Sequence, residues 1–335
     1  MAELSEAQGQ VLAAMVEQAT KREPATRDNL TSTGQKYFRG HLADWTGAVE
    51  SLIADGLLTE REGVLALGGA DSSLASELHG ARPPMYYWYT DYYRAAATSR
   101  ALSEFSRRVF GRDFSQHGFM DMDQLRSLLD RAQLKPGELV LDMGCGNGGI
   151  AEYISDVTGA RVHGIDYIPE AIEQAMARTA SKRDRVTFAV GDMRNLDLPP
   201  AAFDAIISVD TIYFTDLDET LSRMKAILKL TGRIAIYYGH QLRFSPDLTA
   251  ESLLPDRTPL AEALKRQGLS FEAQDFTQAD YQLALLRKQV LIEMKDAFVA
   301  DGIEFIYRNR WGDSNDMAGD IEKGTHRRYL YLVTV

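Results

Sequence analysis

The chain has 335 residues, of which 45% are hydrophobic and 25% charged, and a formal net charge of −11. That length predicts one large domain plus a smaller one, and the composition is ordinary for a globular protein. The acidic balance argues against a nucleic-acid binder, which needs a concentrated basic face, and no apolar run approaches the roughly 18 residues of a membrane span. The opening MAELSEAQGQ has acids where a signal peptide carries basic residues, so a cytoplasmic protein is expected. The single Cys145 excludes an internal disulfide, and no metal is expected.

In chain order, Ser5 and Gln8 have capping-box spacing, and Val11, Leu12, Met15 and Val16 then fall on one helical face. Asp44 is placed to cap a helix in which Trp45, Ala48, Val49, Leu52 and Ile53 recur at helical spacing, and Gly56 can end it. Leu57 to Thr59 and Val64 to Leu67 flank a turn as a short hairpin. Helices followed by a hairpin predict a winged-helix-like module over residues 1–70. Such a module reads DNA or holds two copies of a chain together. Residues 1–80 carry six Lys/Arg against twelve Asp/Glu, and so acidic a unit points to dimerisation and a homodimer.

Gly68 to Ser73 reads as a linker into a helical, tyrosine-rich connector over residues 71–135. The stretch Tyr86 to Tyr93 holds six aromatic residues in eight positions. A buried core helix favours Leu and Ile, because a buried tyrosine hydroxyl needs a partner. Tyr86, Tyr89, Tyr92 and Tyr93 are therefore candidates for lining a ligand pocket. Gln116 and His117, just before the next helix, are candidates of the same kind.

The densest signal follows at Glu138 to Gly149, ELVLDMGCGNGG: an apolar strand, an acid, a glycine cluster and a helix start. This is where an open α/β sheet binds a nucleotide-like cofactor, because glycines admit the ligand and the helix N-terminus offers N–H groups. The glycines alone suit NAD or S-adenosylmethionine equally. Asp142 separates the two, since a carboxylate there repels a pyrophosphate and attracts a sulfonium or ammonium. Asp166, twenty residues after Gly146, ends a second strand. Arg185 to Val190 and Phe203 to Val209 read as the next two strands, ending in Gly191-Asp192-Met193 and in Asp210 to Phe214.

In this order, LDMGCGNG, GIDYIPE, GDM, FDAIISVDTIYF and LKLTGRIAIYY resemble the successive motifs of the class I S-adenosylmethionine-dependent methyltransferases. The resemblance implies a Rossmann-like seven-stranded α/β sheet over residues 136–335, preceded by the small winged-helix-like domain. It implies that Asp142, Gly144, Cys145, Gly146 and Asn147 surround the methionine part of the cofactor. Asp166 would take the ribose hydroxyls, with Tyr167 beside the adenine. Asp192 and Met193 would hold the adenine, and Asp210 and Tyr213 would border the methyl group. In the family a His-Gly pair such as His117-Gly118 lies over the cofactor. Thr231 departs from the proline common before the glycine of the fifth motif, at a position behind the site.

Beyond that motif, Arg233 to Tyr238 is the fifth strand and His240 follows it as a further candidate. Pro259 to Gln267 reads as a helix, Leu269 to Glu272 as strand six and Arg328 to Val333 as the last strand. Strands six and seven form a hairpin in the family, so residues 278–326, with a helix over Ala279 to Val299, are an insertion placed to act as a lid. Within it, Arg308 and Arg310 could bind a substrate carboxylate.

Methyl transfer mainly needs alignment, and a base is required only when the acceptor must lose a proton. His117, Tyr93 and Tyr213 are the catalytic candidates. The aromatic cluster suits a cationic product, which favours S-methylation of a thioether acid such as 4-methylthio-2-hydroxybutyrate. The layout also resembles the bacterial methylthiohydroxybutyrate S-methyltransferases of dimethylsulfoniopropionate synthesis. N-, O- or C-methylation of another small metabolite is the alternative, and an NAD-dependent dehydrogenase or a DNA-binding regulator is more remote.

Overall fold

A computed structural model describes residues 4–21, 23–37, 45–68, 84–245 and 247–334. The chain divides into two compact units, Met1–Arg94 and Ala95–Val335. The expected cap at Asp44, all of the linker over Gly68 to Ser73 except Gly68, and the side chain of Val16 lie outside the described residues.

In the first unit, helices α1 (Glu6–Lys21), α2 (Arg27–Tyr37) and α3 (Trp45–Ala54) precede an antiparallel hairpin, β1 (Leu58–Arg61) and β2 (Val64–Leu67). The capping box closes both ways: Gln8 N–H donates to Ser5 Oγ at 3.2 Å and Ser5 N–H to Gln8 Oε1 at 2.8 Å. Gly56, at φ 71°, turns the chain out of α3 so that Leu57 N–H reaches the Leu52 carbonyl at 2.9 Å. Val11, Leu12, Met15, Leu30, Trp45, Leu52, Leu58 and Leu65 form one core, which Tyr87 joins. Tyr87 belongs to α4 (Pro84–Ala96), the tyrosine helix. Gly9 leaves room for its hydroxyl, since a Cβ there would lie 2.1 Å away. Trp88 stacks on Tyr92 with ring centres 5.3 Å apart, and Tyr89 stacks on Tyr93 at 6.4 Å. Tyr92 and Tyr93 are buried, whereas Tyr86 and Tyr89 are partly so.

The second unit opens with α5 (Arg100–Phe110) and α6 (Met122–Ala132), capped by Ser99 and Asp121. Its sheet then builds through β3 (Leu139–Met143), α7 (Gly149–Thr158), β4 (Arg161–Asp166), α8 (Pro169–Arg178), β5 (Val186–Val190), β6 (Phe203–Val209), α9 (Leu217–Ile227), β7 (Leu228–Gln241), α10 (Pro259–Arg266), β8 (Ser270–Asp275) and β9 (His326–Thr334). The strand order is β5-β4-β3-β6-β7-β9-β8. Neighbours from β5 to β7 are parallel, and β9 runs antiparallel to both β7 and β8. This is the expected seven-stranded methyltransferase sheet. The direction of winding reverses between β3 and β6, and a crevice opens beyond the carboxyl ends of strands at such a point. The central strands are apolar on both faces because helices cover both, with Val140, Leu141, Ile206, Ile207, Ile234 and Ile236 all buried.

The insertion between β8 and β9 holds two helices, α11 (Thr277–Ala300) and α12 (Glu304–Glu322), where the sequence suggested one. Leu283, Arg287, Val290, Leu291, Met294 and Phe298 are the inward stripe of α11. Gly302, at φ 68°, breaks the helix, and Ile303 N–H closes on the Phe298 carbonyl at 3.0 Å. No helix among the described residues is long and apolar enough to cross a membrane.

Candidate active site

β3 delivers Asp142 to the carboxyl edge of the sheet, and the chain then turns through Gly144, Gly146 and Gly148 at φ 73°, 54° and 74° before α7 begins. Only glycine adopts these angles without strain. Space makes a second demand: a Cβ on Gly144 would lie 2.5 Å from Thr211 and 3.2 Å from Met193. The ends of β5 and β6 therefore close on the loop from two sides. Cys145 is a small packing residue here, buried so close to Gly164 that a Cβ on that glycine would stand 2.8 Å from Sγ.

Asp166 holds two loops at once. Gly146 N–H donates to its Oδ2 at 2.9 Å and Ile168 N–H to its Oδ1 at 3.0 Å. Burial outweighs these bonds and pushes its carboxyl up to about 6. Asp142 is buried more severely. Its Oδ2 has no hydrogen-bond partner among the described residues, and burial, then the charge of Asp166, push it up to about 7. Two neighbouring carboxylates, one with an oxygen that has no hydrogen-bond partner among the described residues, fit a positively charged ligand. Residues Asp142 to Asn147 and Asp166 are thus suited to hold S-adenosylmethionine. Asn147 is buried, and its carbonyl accepts from Arg178 Nη2 at 2.6 Å. Tyr167 follows Asp166 and is partly buried. Asp192 is gripped by Arg194, with Nε 2.9 Å from each oxygen and Nη2 2.6 Å from Oδ2, so its carboxylate is oriented and its charge offset.

A second layer surrounds Asp210, whose φ of 54° is unusual for a residue with a side chain. Phe119 N–H donates to its Oδ2 at 2.9 Å, and a Cβ on Gly118 would come within 2.7 Å of that oxygen. Gly118 is there because the segment passes so close. The same segment packs on the start of α7, where a Cβ on Gly149 would lie 3.1 Å from the Phe114 backbone. The His117-Gly118 stretch thus lies along the rim of the glycine loop. His117 is partly buried, and its Nε2 sits 3.0 Å from Asn309 Oδ1. Burial and the nearby Arg310 keep the imidazole well below its ordinary range, hence neutral. Tyr213 follows on a short turn, 45% exposed, against Phe214.

Three candidates stand differently from the sequence reading. Arg310, expected at a substrate carboxylate, is fully buried and donates to the carbonyls of His117 and Gln116, the latter at 2.7 Å. It is a clasp for that segment, because a guanidinium carries five N–H donors in a fixed fork and can bond several buried carbonyls at once. Arg308 lies on the exposed face of α12, 3.8 Å from Glu304. His240 is buried 3.0 Å from Ser252 Oγ and stacked on Tyr238, on the face of β7 opposite Tyr237. The tyrosines of α4 belong to the first unit.

The sequence reading missed the residues that organise the second layer. Arg328, at the start of β9, is fully buried: its Nε and Nη2 take Asp210 at 3.0 and 2.8 Å, and its Nη1 takes Gln124 Oε1 at 2.6 Å and Asp280 Oδ1 at 2.9 Å. It also lies over the Tyr237 ring, 4.4 Å from the centre. The available signal was an arginine at an inward position of an otherwise apolar strand.

Residues 140–232 match the family model described as a methyltransferase domain. Phosphoethanolamine N-methyltransferase 2 of Caenorhabditis elegans is 27% identical over 67% of this chain and 53% of its own length. Sterol 24-C-methyltransferase of Eremothecium gossypii is 33% identical over 41% of this chain and 37% of its own. The chain thus spans about half or less of these curated relatives. Among solved structures, a Haemonchus contortus phosphoethanolamine N-methyltransferase 2, bound to phosphomonomethylethanolamine and S-adenosylhomocysteine, superposes with a TM-score of 0.60 at 23% identity, covering 73% of this chain and 59% of that one. A putative sarcosine dimethylglycine methyltransferase from Galdieria sulphuraria gives 0.54 at 18% identity, over 63% of this chain and 83% of that one. The strand order, the loop shaped for a cationic ligand and the domain match together show that residues 140–232 of this chain carry a methyltransferase domain on a Rossmann-like sheet.

Proposed function

We propose that the protein transfers a methyl group from S-adenosylmethionine to a small-molecule acceptor. The observation that carries this reading is Asp142, a buried carboxylate at the end of β3 with an oxygen that has no hydrogen-bond partner among the described residues. Bound there, the cofactor supplies an activated methyl group on a positively charged sulfur. The chain's own residues hold and align. Asp166 fixes the loop. Asp142 would face the cationic end, Asp166 would take the ribose hydroxyls, Tyr167, Asp192 and Met193 would border the adenine, and Asp210 and Tyr213 would border the methyl group. Alignment and exclusion of water of this kind lower a displacement barrier by roughly 7–11 kcal/mol.

His117, held neutral by burial and the nearby Arg310, offers only a weak base to an acceptor that must shed a proton. The amide oxygen of Asn309 can only accept, which puts the imidazole proton on Nε2 and the basic lone pair on Nδ1. A thioether acid has no use for such a base, and neither Arg308 nor Arg310 offers a fork for its carboxylate. One of the curated relatives is named for N-methylation of phosphoethanolamine. We therefore favour a small amine acceptor over 4-methylthio-2-hydroxybutyrate. The first unit we read as a winged-helix-like dimerisation module, to be tested by light scattering coupled to gel filtration.

The decisive experiment supplies methyl-labelled S-adenosylmethionine with a panel of small amines, thioether acids and phenols, and identifies products by mass spectrometry. A labelled amine supports the reading, and a labelled sulfonium restores the thioether acid. No calorimetric binding of S-adenosylmethionine would overturn the reading altogether.

A further inference from the structure

Arg328 lies in the last strand, outside every methyltransferase motif, yet it is fully buried and bonded to three side chains near the glycine loop. Its fork closes on both oxygens of Asp210, and its third nitrogen reaches Asp280 and Gln124. With Phe119 N–H also on Oδ2, the Asp210 carboxylate is fully engaged. It can act neither as a base nor as a loose counter-ion. Asp210 is one residue from Thr211, which touches Gly144 and donates to the Met143 carbonyl at 3.0 Å. The other charged or titratable groups facing this pair are Asp280 from α11, His326 from β9, and Tyr213 and Tyr237, with Asp313 and Asp121 beyond the two tyrosines.

We propose that Arg328 is a positioning residue that sets the charge felt by the cofactor sulfur: it pins Asp210 in its left-handed turn and cancels the carboxylate's field at the methyl-bearing centre. The inference rests on the cofactor reading above. It makes discrimination between the sulfonium of S-adenosylmethionine and the neutral thioether of S-adenosylhomocysteine depend on a residue 118 positions downstream of Asp210.

The test is a charge cycle read as the ratio of the two dissociation constants by calorimetry. Asp210→Asn leaves the guanidinium opposed by Asp280 alone and lowers the preference for S-adenosylmethionine. Arg328→Gln leaves the carboxylate unopposed and raises it. At an effective dielectric of about 20, a unit charge within about 12 Å of the sulfur makes each change about tenfold or more. The double variant returns the ratio towards wild type, and Arg328→Lys keeps the ratio while weakening both ligands. A purely structural role weakens both ligands equally, so an unchanged ratio in Asp210→Asn and Arg328→Gln overturns the proposal. If Arg328→Gln does not fold, Asp210→Asn alone decides. Failure of the wild type to bind either ligand overturns the cofactor reading instead.

Discussion

Lowering the pH from 8 to 6 is expected to weaken S-adenosylmethionine binding about tenfold, because the cofactor's positive end needs Asp142 ionised. Burial places that carboxyl at about 7, so roughly nine-tenths is ionised at pH 8 and about one-tenth at pH 6. The ratio of those fractions corresponds to about 1.4 kcal/mol. Asp166 titrates next to it, so the midpoint belongs to the pair. Calorimetry at pH 6, 7 and 8 measures the affinity, and repeating pH 6 in buffers of different ionisation enthalpy counts the proton released. Adenosine, which has no cationic group, serves as the control without this dependence. The sign also bears on the ligand-free protein. A carboxyl raised from 3.8 to about 7 favours the folded state below 3.8 and loses that advantage as pH rises through 7. The loss is roughly 4 kcal/mol at most. Asp142→Asn removes it, so at pH 8 the unliganded variant should melt higher than wild type while binding the cofactor at least about tenfold more weakly. An affinity that changes less than twofold between pH 6 and 8, with no proton released at pH 6, refutes the reasoning.

Other substitutions probe the frame around that site. Gly118→Ala places a methyl group 2.7 Å from Asp210 Oδ2 and should destabilise by about 1–3 kcal/mol through forced displacement, visible as a lower melting temperature. Arg310→Met strips the Gln116 and His117 carbonyls of their donor and should cost about 1–3 kcal/mol. Arg308→Ala, on the exposed face, should leave the melting temperature within about 2 °C; equal effects in a thermal melt would contradict the division of roles between these two arginines. Asp166→Ala frees the Gly146 and Ile168 N–H groups and should weaken S-adenosylmethionine by at least about tenfold in a calorimetric titration.

Much of the cofactor site was legible before any coordinates. A strand must bury apolar side chains, a tight turn towards a ligand demands glycine, and a carboxylate at that turn selects the sign of what binds. Those requirements fall on neighbouring residues, from Leu139 to Gly149, and so survive as a local pattern. Capping chemistry is local too, which is why Ser5, Gln8 and Gly56 behave as read. The arginines were not legible. Nothing near Arg310 in the chain says that it will satisfy carbonyls at residues 116 and 117, and spacing alone made it resemble its exposed neighbour Arg308.

By itself, then, the amino-acid order determined the sheet, the glycine loop and the charge of its ligand, because each depends on periodicity or on turn chemistry within about a dozen residues. Only the tertiary structure decided which charges stand opposed. Arg328 meets Asp210 because β9 runs back beside β7 and its inward face reaches the end of β6. Whether a buried charge acts as a ligand, a clasp or a silent counter-ion depends on what the fold brings within about 3 Å of it, and that pairing has no period in the sequence.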